Sequence, residues 1–163
     1  LWTETHRDVR REHLGYAELR DRTYAYAAMI KATDPGAQTL GPAEWGWNAY
    51  FYSARDSHSK GANPDRAAYG NKPLVQWYLE QMRAYEQQHG TRILDYLDLH
   101  YYPQARNVAL KPAGDAATQA LRLRSTRSLW DPSYADESWI SSQPDGPAVR
   151  LIPRMRDWVD RFY

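Results

Sequence analysis

The chain has 163 residues, a net charge of +1, no cysteine, 7 tryptophans and 13 tyrosines. The near-neutral charge excludes broad electrostatic binding to nucleic acid, and the lack of cysteine excludes disulfides, thiolate metal sites and a cysteine nucleophile. The length is that of one ordinary domain, too short for a complete (β/α)8 barrel of about 250 residues, and no apolar run approaches the roughly 18 residues of a membrane span.

In chain order, the first helix is predicted over 14–32. Tyr16, Leu19, Thr23, Ala27 and Ile30 recur at spacings of three and four, and Asp34-Pro35-Gly36 stops the run. A short strand is predicted at 38–41, ending at Pro42. Pro73 at a first helical position opens a second helix. Its apolar stripe is Val75, Tyr78, Leu79, Met82 and Tyr85, and His89-Gly90 closes it. Residues 93–102 read as the best strand, and 115–123 as a weaker helix. The last helix carries Ile152, Met155, Val159 and Phe162 on one face, with Pro153 confined to its first turn. Alternation of helix and strand implies an α/β fold with parallel strands. Two long connections, 42–71 and 103–147, follow strand ends, where parallel α/β folds build their sites.

The first connection opens Pro42-Ala43-Glu44-Trp45-Gly46-Trp47-Asn48-Ala49-Tyr50-Phe51-Tyr52. The second opens His100-Tyr101-Tyr102-Pro103-Gln104 and carries Trp130 and Asp136-Glu137-Ser138-Trp139 further on. Aromatic faces stack on the C–H face of a sugar ring, while carboxylates, His and Asn bind hydroxyls, so the mixture suits a carbohydrate cleft. Packing of the rings onto the rest of the fold is the plainer reading for any one of them. Taken alone, Glu44 is the choice for a catalytic carboxylate, with Asp98 or Glu137 as its partner.

Other patterns fall away. His6-Arg7-Asp8 matches the kinase catalytic-loop triplet, but His13 stands where its Asn is needed and no Gly-rich loop exists. Asp98 and His100 share a strand face but lack a third metal ligand at suggestive spacing, so no metal or cofactor is expected. Arg7, Arg10, Arg11, Arg20 and Arg22 read as a solvated approach to the first helix.

Six segments together resemble glycoside hydrolase family 44. They are Thr5-His6-Arg7-Asp8-Val9; Leu40-Gly41-Pro42-Ala43-Glu44-Trp45-Gly46-Trp47; Trp77-Tyr78-Leu79-Glu80-Gln81-Met82; Leu94-Asp95-Tyr96-Leu97-Asp98-Leu99-His100-Tyr101-Tyr102-Pro103-Gln104; Leu123-Arg124-Ser125-Thr126-Arg127-Ser128-Leu129-Trp130-Asp131; and Asp136-Glu137-Ser138-Trp139-Ile140. The family comprises secreted endo-β-1,4-glucanases and xyloglucanases with a (β/α)8 barrel and a retaining mechanism that uses two glutamates. The resemblance implies a partial barrel, from after its fourth strand through the helix before its seventh. The acid/base segment Asn-Glu-Pro is then expected before Leu1, and the nucleophile segment Thr-Glu-Tyr after Tyr163. The chain opens without an initiator methionine or a leader, as a piece of a longer secreted protein would.

Under the resemblance no residue of this chain is catalytic. Glu44 and His100 take supporting roles: binding sugar hydroxyls or holding the acid/base. Trp45 or Trp47, Tyr101, Tyr102, Trp130 and Trp139 line the path of a β-1,4-linked polysaccharide. The reading from another class is a non-catalytic glycan-binding α/β domain using the same aromatics.

Overall fold

A computed structural model describes residues 11–109, 114–145 and 147–163. The segment Thr5-His6-Arg7-Asp8-Val9, with its His6-Arg7-Asp8 triplet, lies outside them. The chain forms two compact units, one of residues 1–100 with 158–163 and one of residues 101–157.

In the first unit, helix α1 (Tyr16–Thr33) starts after Gly15 and ends where Asp34 donates its N–H to Ile30 O. Gly15 has no side chain to cap the helix, so the Asp65 carboxylate accepts the Tyr16 N–H instead, at 3.2 Å. Of the predicted apolar face only Tyr16 and Ala27 are buried, and Ile30 is exposed.

Strand β1 (Leu40–Glu44) pairs in parallel with β2 (Tyr96–Leu99). The predicted parallel pairing is present, but the predicted boundaries differ. β1 runs through Pro42 to Glu44 instead of stopping at the proline. A proline is tolerated at a bulge or an unpaired edge because no ladder bond needs its missing N–H. β2 is shorter than 93–102 because its partner is only five residues long. Asp95 ties the strand starts to α1: it accepts from Thr39 N at 2.7 Å and from Lys31 Nζ at 2.6 Å.

The connection 42–71 contains three short helices: α2 (Trp47–Phe51), α3 (Ala54–Ser57) and α4 (Pro64–Ala68). Helix α5 (Leu74–His89) follows, with Pro73 as its N-cap and Gly90 in the left-handed region as its C-cap. Its predicted stripe is buried at Val75, Tyr78, Leu79 and Met82. The core joins Tyr16, Leu74 and Trp77, with the Tyr16 and Trp77 rings 5.1 Å apart, and the Tyr24 hydroxyl bonds Gln81 O at 2.8 Å.

The second unit contains helix α6 (Ala116–Ser125), capped by the Asp115 side chain on Thr118 N at 2.8 Å. Two 3-10 turns follow, Thr126–Leu129 and Trp139–Ser142. Val108, Tyr134, Ile140, Val149 and Leu151 are buried here. Helix α7 (Leu151–Phe162) begins in this unit and ends in the first, with Pro153 in its first turn as expected. Its predicted apolar face is not buried: Ile152 and Val159 are exposed, and Leu151 is its buried residue.

Candidate functional site

The site residues of the first unit gather at the C-terminal ends of the two strands. Regular alternation along β1 would put Glu44 on the face of Pro42. Burial instead falls on Gly41 and Glu44, three positions apart. The register explains it: Pro42 pairs with Asp98 and Glu44 with Leu99, so Ala43 is an extra residue, at φ 57°. A bulge of this kind re-aims the next side chain. It turns the Glu44 carboxylate inward, where only 8% of the residue is exposed.

Glu44 faces a cavity of about 240 Å³ shared with Leu14, Pro42, Trp45, Ser53 and Leu74. Among the described residues no side chain or amide donates a hydrogen bond to its carboxylate. Burial pushes the carboxyl up to about 7. The Tyr78 hydroxyl is pushed up to about 12, mainly by burial, with the Glu44 charge adding to it. This is a carboxyl that changes protonation near neutral pH, inside a space large enough for a ligand group.

The two tryptophans beside it separate cleanly. Trp45 is 49% exposed on the rim of the cavity. Trp47 opens α2 and is 4% exposed, with its ring 5.1 Å from Phe51 and 5.8 Å from Tyr50. It packs inside the unit and has no face to offer a ligand. Trp45 is therefore the tryptophan that meets solvent. His100 is exposed, its backbone N–H bonds Glu44 O at 2.8 Å, and its Nε2 lies 3.9 Å from Asp98 Oδ1. The Tyr50 hydroxyl donates to the His100 carbonyl. Among the described residues, no group of three or more His, Asp or Glu side chains is arranged to hold a metal ion.

In the second unit the aromatic residues are organised by two side chains absent from the predicted set. Asp136 is buried, and its carboxylate accepts from the Tyr101 hydroxyl at 2.5 Å, from Ser128 Oγ at 2.7 Å and from Ser138 Oγ. Gln104 donates to the Tyr102 carbonyl at 2.8 Å and accepts from Trp139 Nε1 at 3.4 Å. Tyr101 thus spends its hydroxyl inside the unit, while Tyr102, Trp130 and Trp139 expose their rings, Trp130 at 57% and Trp139 at 42%. Glu137 is held by two 2.9 Å bonds from Arg124 and one of 2.8 Å from Tyr134. Arg124, and after it Tyr134, holds the Glu137 carboxyl down to about 2, a supporting anion and not a proton donor. No sequence pattern marks Asp136 or Gln104, because their partners are up to 35 positions away.

The model for glycoside hydrolase family 44 matches residues 1–105. The whole chain is 34% identical to Endoglucanase A of Paenibacillus lautus, of which it spans 23%. It is 30% identical to a beta-mannanase/endoglucanase A of Caldicellulosiruptor saccharolyticus, of which it spans 13%. Among solved structures it is similar to CelM2, a bifunctional glucanase-xylanase from a metagenome library, with a TM-score of 0.90 and 41% identity over 99% of this chain and 31% of that one. It is also similar to a Paenibacillus polymyxa family 44 xyloglucanase solved with xyloglucan, with a TM-score of 0.84 and 34% identity over all of this chain and 31% of that one. The chain therefore spans less than a third of each of these relatives.

Proposed function

The chain belongs to glycoside hydrolase family 44, and we propose on that footing that it is the central part of a secreted, retaining endo-β-1,4-glucanase acting on cellulose- or xyloglucan-type polysaccharides. In this reading β1 and β2 are the fifth and sixth strands of a (β/α)8 barrel. The acid/base and the nucleophile belong to segments before Leu1 and after Tyr163. The observation that carries the reading is the extent of the likeness: it covers 99% or more of the chain in both enzyme structures, aromatic loops included.

The residues present then have binding roles. Trp45 in the first unit, and Tyr102, Trp130 and Trp139 in the second, each have an exposed ring that can stack on the C–H face of a sugar. Tyr101 keeps the loop in shape through Asp136. Burial lifts the Glu44 carboxyl to about 7, so near neutral pH its protonated form is within reach and can donate to a sugar hydroxyl or to the acid/base, while its ionised form accepts from them. His100, exposed at the adjoining strand end, hydrogen-bonds hydroxyls from the other side. Trp47 drops out of the binding set because its ring is enclosed.

The test is reducing-end release from xyloglucan and carboxymethylcellulose by the intact enzyme and by the 163-residue chain. The intact enzyme is expected to release sugar and the chain none, since general acid–base help alone is worth about 10²–10⁴-fold. Polysaccharide binding without cleavage by the intact protein would favour the non-catalytic glycan-binding domain. Cleavage by the chain alone, abolished by Glu44→Gln, would overturn the assignment of the catalytic groups and make Glu44 one of them.

A further inference from the structure

The indole of Trp139 is held along its edge while a large part of its surface stays in solvent. Its Nε1–H donates to Gln104 Oε1 at 3.4 Å, and Gln104 Nε2 donates to the Tyr102 carbonyl at 2.8 Å. These two partners fix the direction of the amide. An indole N–H can only donate and a backbone carbonyl can only accept, so Gln104 must turn its oxygen to Trp139 and its nitrogen to Tyr102. A carboxylate at this position satisfies the first partner and repels the second, and an aliphatic side chain satisfies neither.

The backbone under Trp139 is fixed independently. Ser138 caps the 3-10 turn that Trp139 opens, accepting from Ile140 N at 3.3 Å. The same Ser138 hydroxyl donates to the buried Asp136 carboxylate, which also takes Tyr101 and Ser128. The ring is therefore anchored at its root by Asp136 and at its edge by Gln104. An exposed aromatic that is already ordered loses less rotamer freedom when a ligand stacks on it, and preorganisation of this kind improves affinity without any new contact.

We propose that Gln104 is a positioning residue for polysaccharide binding, acting through Trp139 by holding its indole in the stacking orientation. The proposal deepens the glucanase reading and rests on Trp139 being a stacking platform.

A double-mutant cycle in the intact enzyme tests it, with soluble xyloglucan as substrate and KM and kcat measured separately. Trp139→Ala first tests the platform itself and is expected to raise KM. Gln104→Met, similar in length but without polar atoms, is expected to raise KM about 2- to 12-fold with kcat retained, the range set by ordering one side chain. Gln104→Glu keeps the acceptor for the indole and is expected to fall between the parent and Gln104→Met. In the Trp139→Ala background Gln104→Met is expected to add nothing. An equal rise in KM in both backgrounds would overturn the proposal, as would an unchanged KM for Gln104→Met in an enzyme that Trp139→Ala impairs. A Trp139→Ala enzyme with the parent's KM would instead remove the platform reading and the proposal with it.

Discussion

The backbone amide of His100 donates to the carbonyl of Glu44 at 2.8 Å, just past the last paired residues of the two strands. This bond sets the two polar residues side by side along the backbone, yet their side chains differ in environment. His100 is exposed, whereas the Ala43 bulge turns Glu44 into the fold.

The buried Glu44 makes stability depend on pH. Its carboxyl is raised by burial from 4.5 to about 7 in the folded state. Below about pH 4.5 it is protonated in both states and carries no penalty. As pH rises toward 7 the unfolded chain ionises first, so the folded state loses ground, and above 7 the loss is constant. Glu44→Gln removes that loss. Relative to the parent enzyme the variant should gain about 3 kcal/mol between pH 4.5 and pH 8. Urea unfolding of both proteins across that range checks this; a stability difference that does not change with pH would refute it.

A second prediction concerns the start of α1. The Asp65 carboxylate accepts from Tyr16 N at 3.2 Å, from Ser53 Oγ at 2.6 Å and from Arg55 Nη1 at 3.3 Å. A Cβ on Gly15 would lie 2.7 Å from Asp65 Oδ2, so only glycine lets the carboxylate come this close. Asp65→Ala leaves a buried amide and a buried hydroxyl without acceptors, at a cost of about 2–4 kcal/mol. Asp65→Asn keeps one acceptor oxygen and should lose less. Denaturant midpoints of the two variants give the order, and an Asn variant as weak as the Ala variant would contradict it.

The α5 stripe was legible in the sequence because periodicity is a local property, and the parallel pairing because the order of helices and strands along the chain implies it. The sequence left Trp45 and Trp47 open as alternatives, because 42–71 read as a connection without a helix; the structure makes Trp47–Phe51 a short helix in which Trp47, Tyr50 and Phe51 are buried. Glu44 was legible as a polar residue at a strand end but not as a buried one, since its direction depends on one extra residue, Ala43, that alternation cannot foresee. Asp136 and Gln104 were invisible because their roles come from hydroxyls, a carbonyl and an indole brought in by loops. The exposed face of α7 carries the pattern of a buried helix, and the described residues do not cover it.

Gly41 is the second close approach. A Cβ there would sit 2.8 Å from the Tyr78 hydroxyl oxygen, which α5 places against β1. Gly41→Ala should cost about 1–3 kcal/mol by overpacking. The clash is with one oxygen atom, so the same substitution in a Tyr78→Phe background should cost measurably less. Thermal unfolding of the four proteins closes the cycle. Equal costs in both backgrounds would mean that the strand backbone, and not the hydroxyl, resents the methyl group.

The last prediction compares two neighbouring carboxylates. Asp136 is 5% exposed and takes three hydroxyl donors, so Asp136→Ala strands those donors inside the second unit and should cost about 3 kcal/mol or more. Glu137 makes shorter work of its charge at the surface: its side chain is 39% exposed and that of Arg124 47%. Arg124 and then Tyr134 lower its carboxyl to about 2. A lowered folded value contributes stability above about pH 4.5 and loses it as pH falls toward 2. Solvent screens an exposed pair, so the contribution at pH 7 should stay under about 1 kcal/mol despite the two 2.9 Å bonds. Glu137→Gln should therefore cost little at pH 7, less still in 1 M salt with a Debye length of about 3 Å, and nothing near pH 2. The Asp136→Ala loss should be insensitive to salt, because hydroxyl partners carry no charge to screen. Urea unfolding at low and high salt separates the two, and a Glu137→Gln loss as large as that of Asp136→Ala would reverse the assignment of which carboxylate holds the loop that presents Trp139.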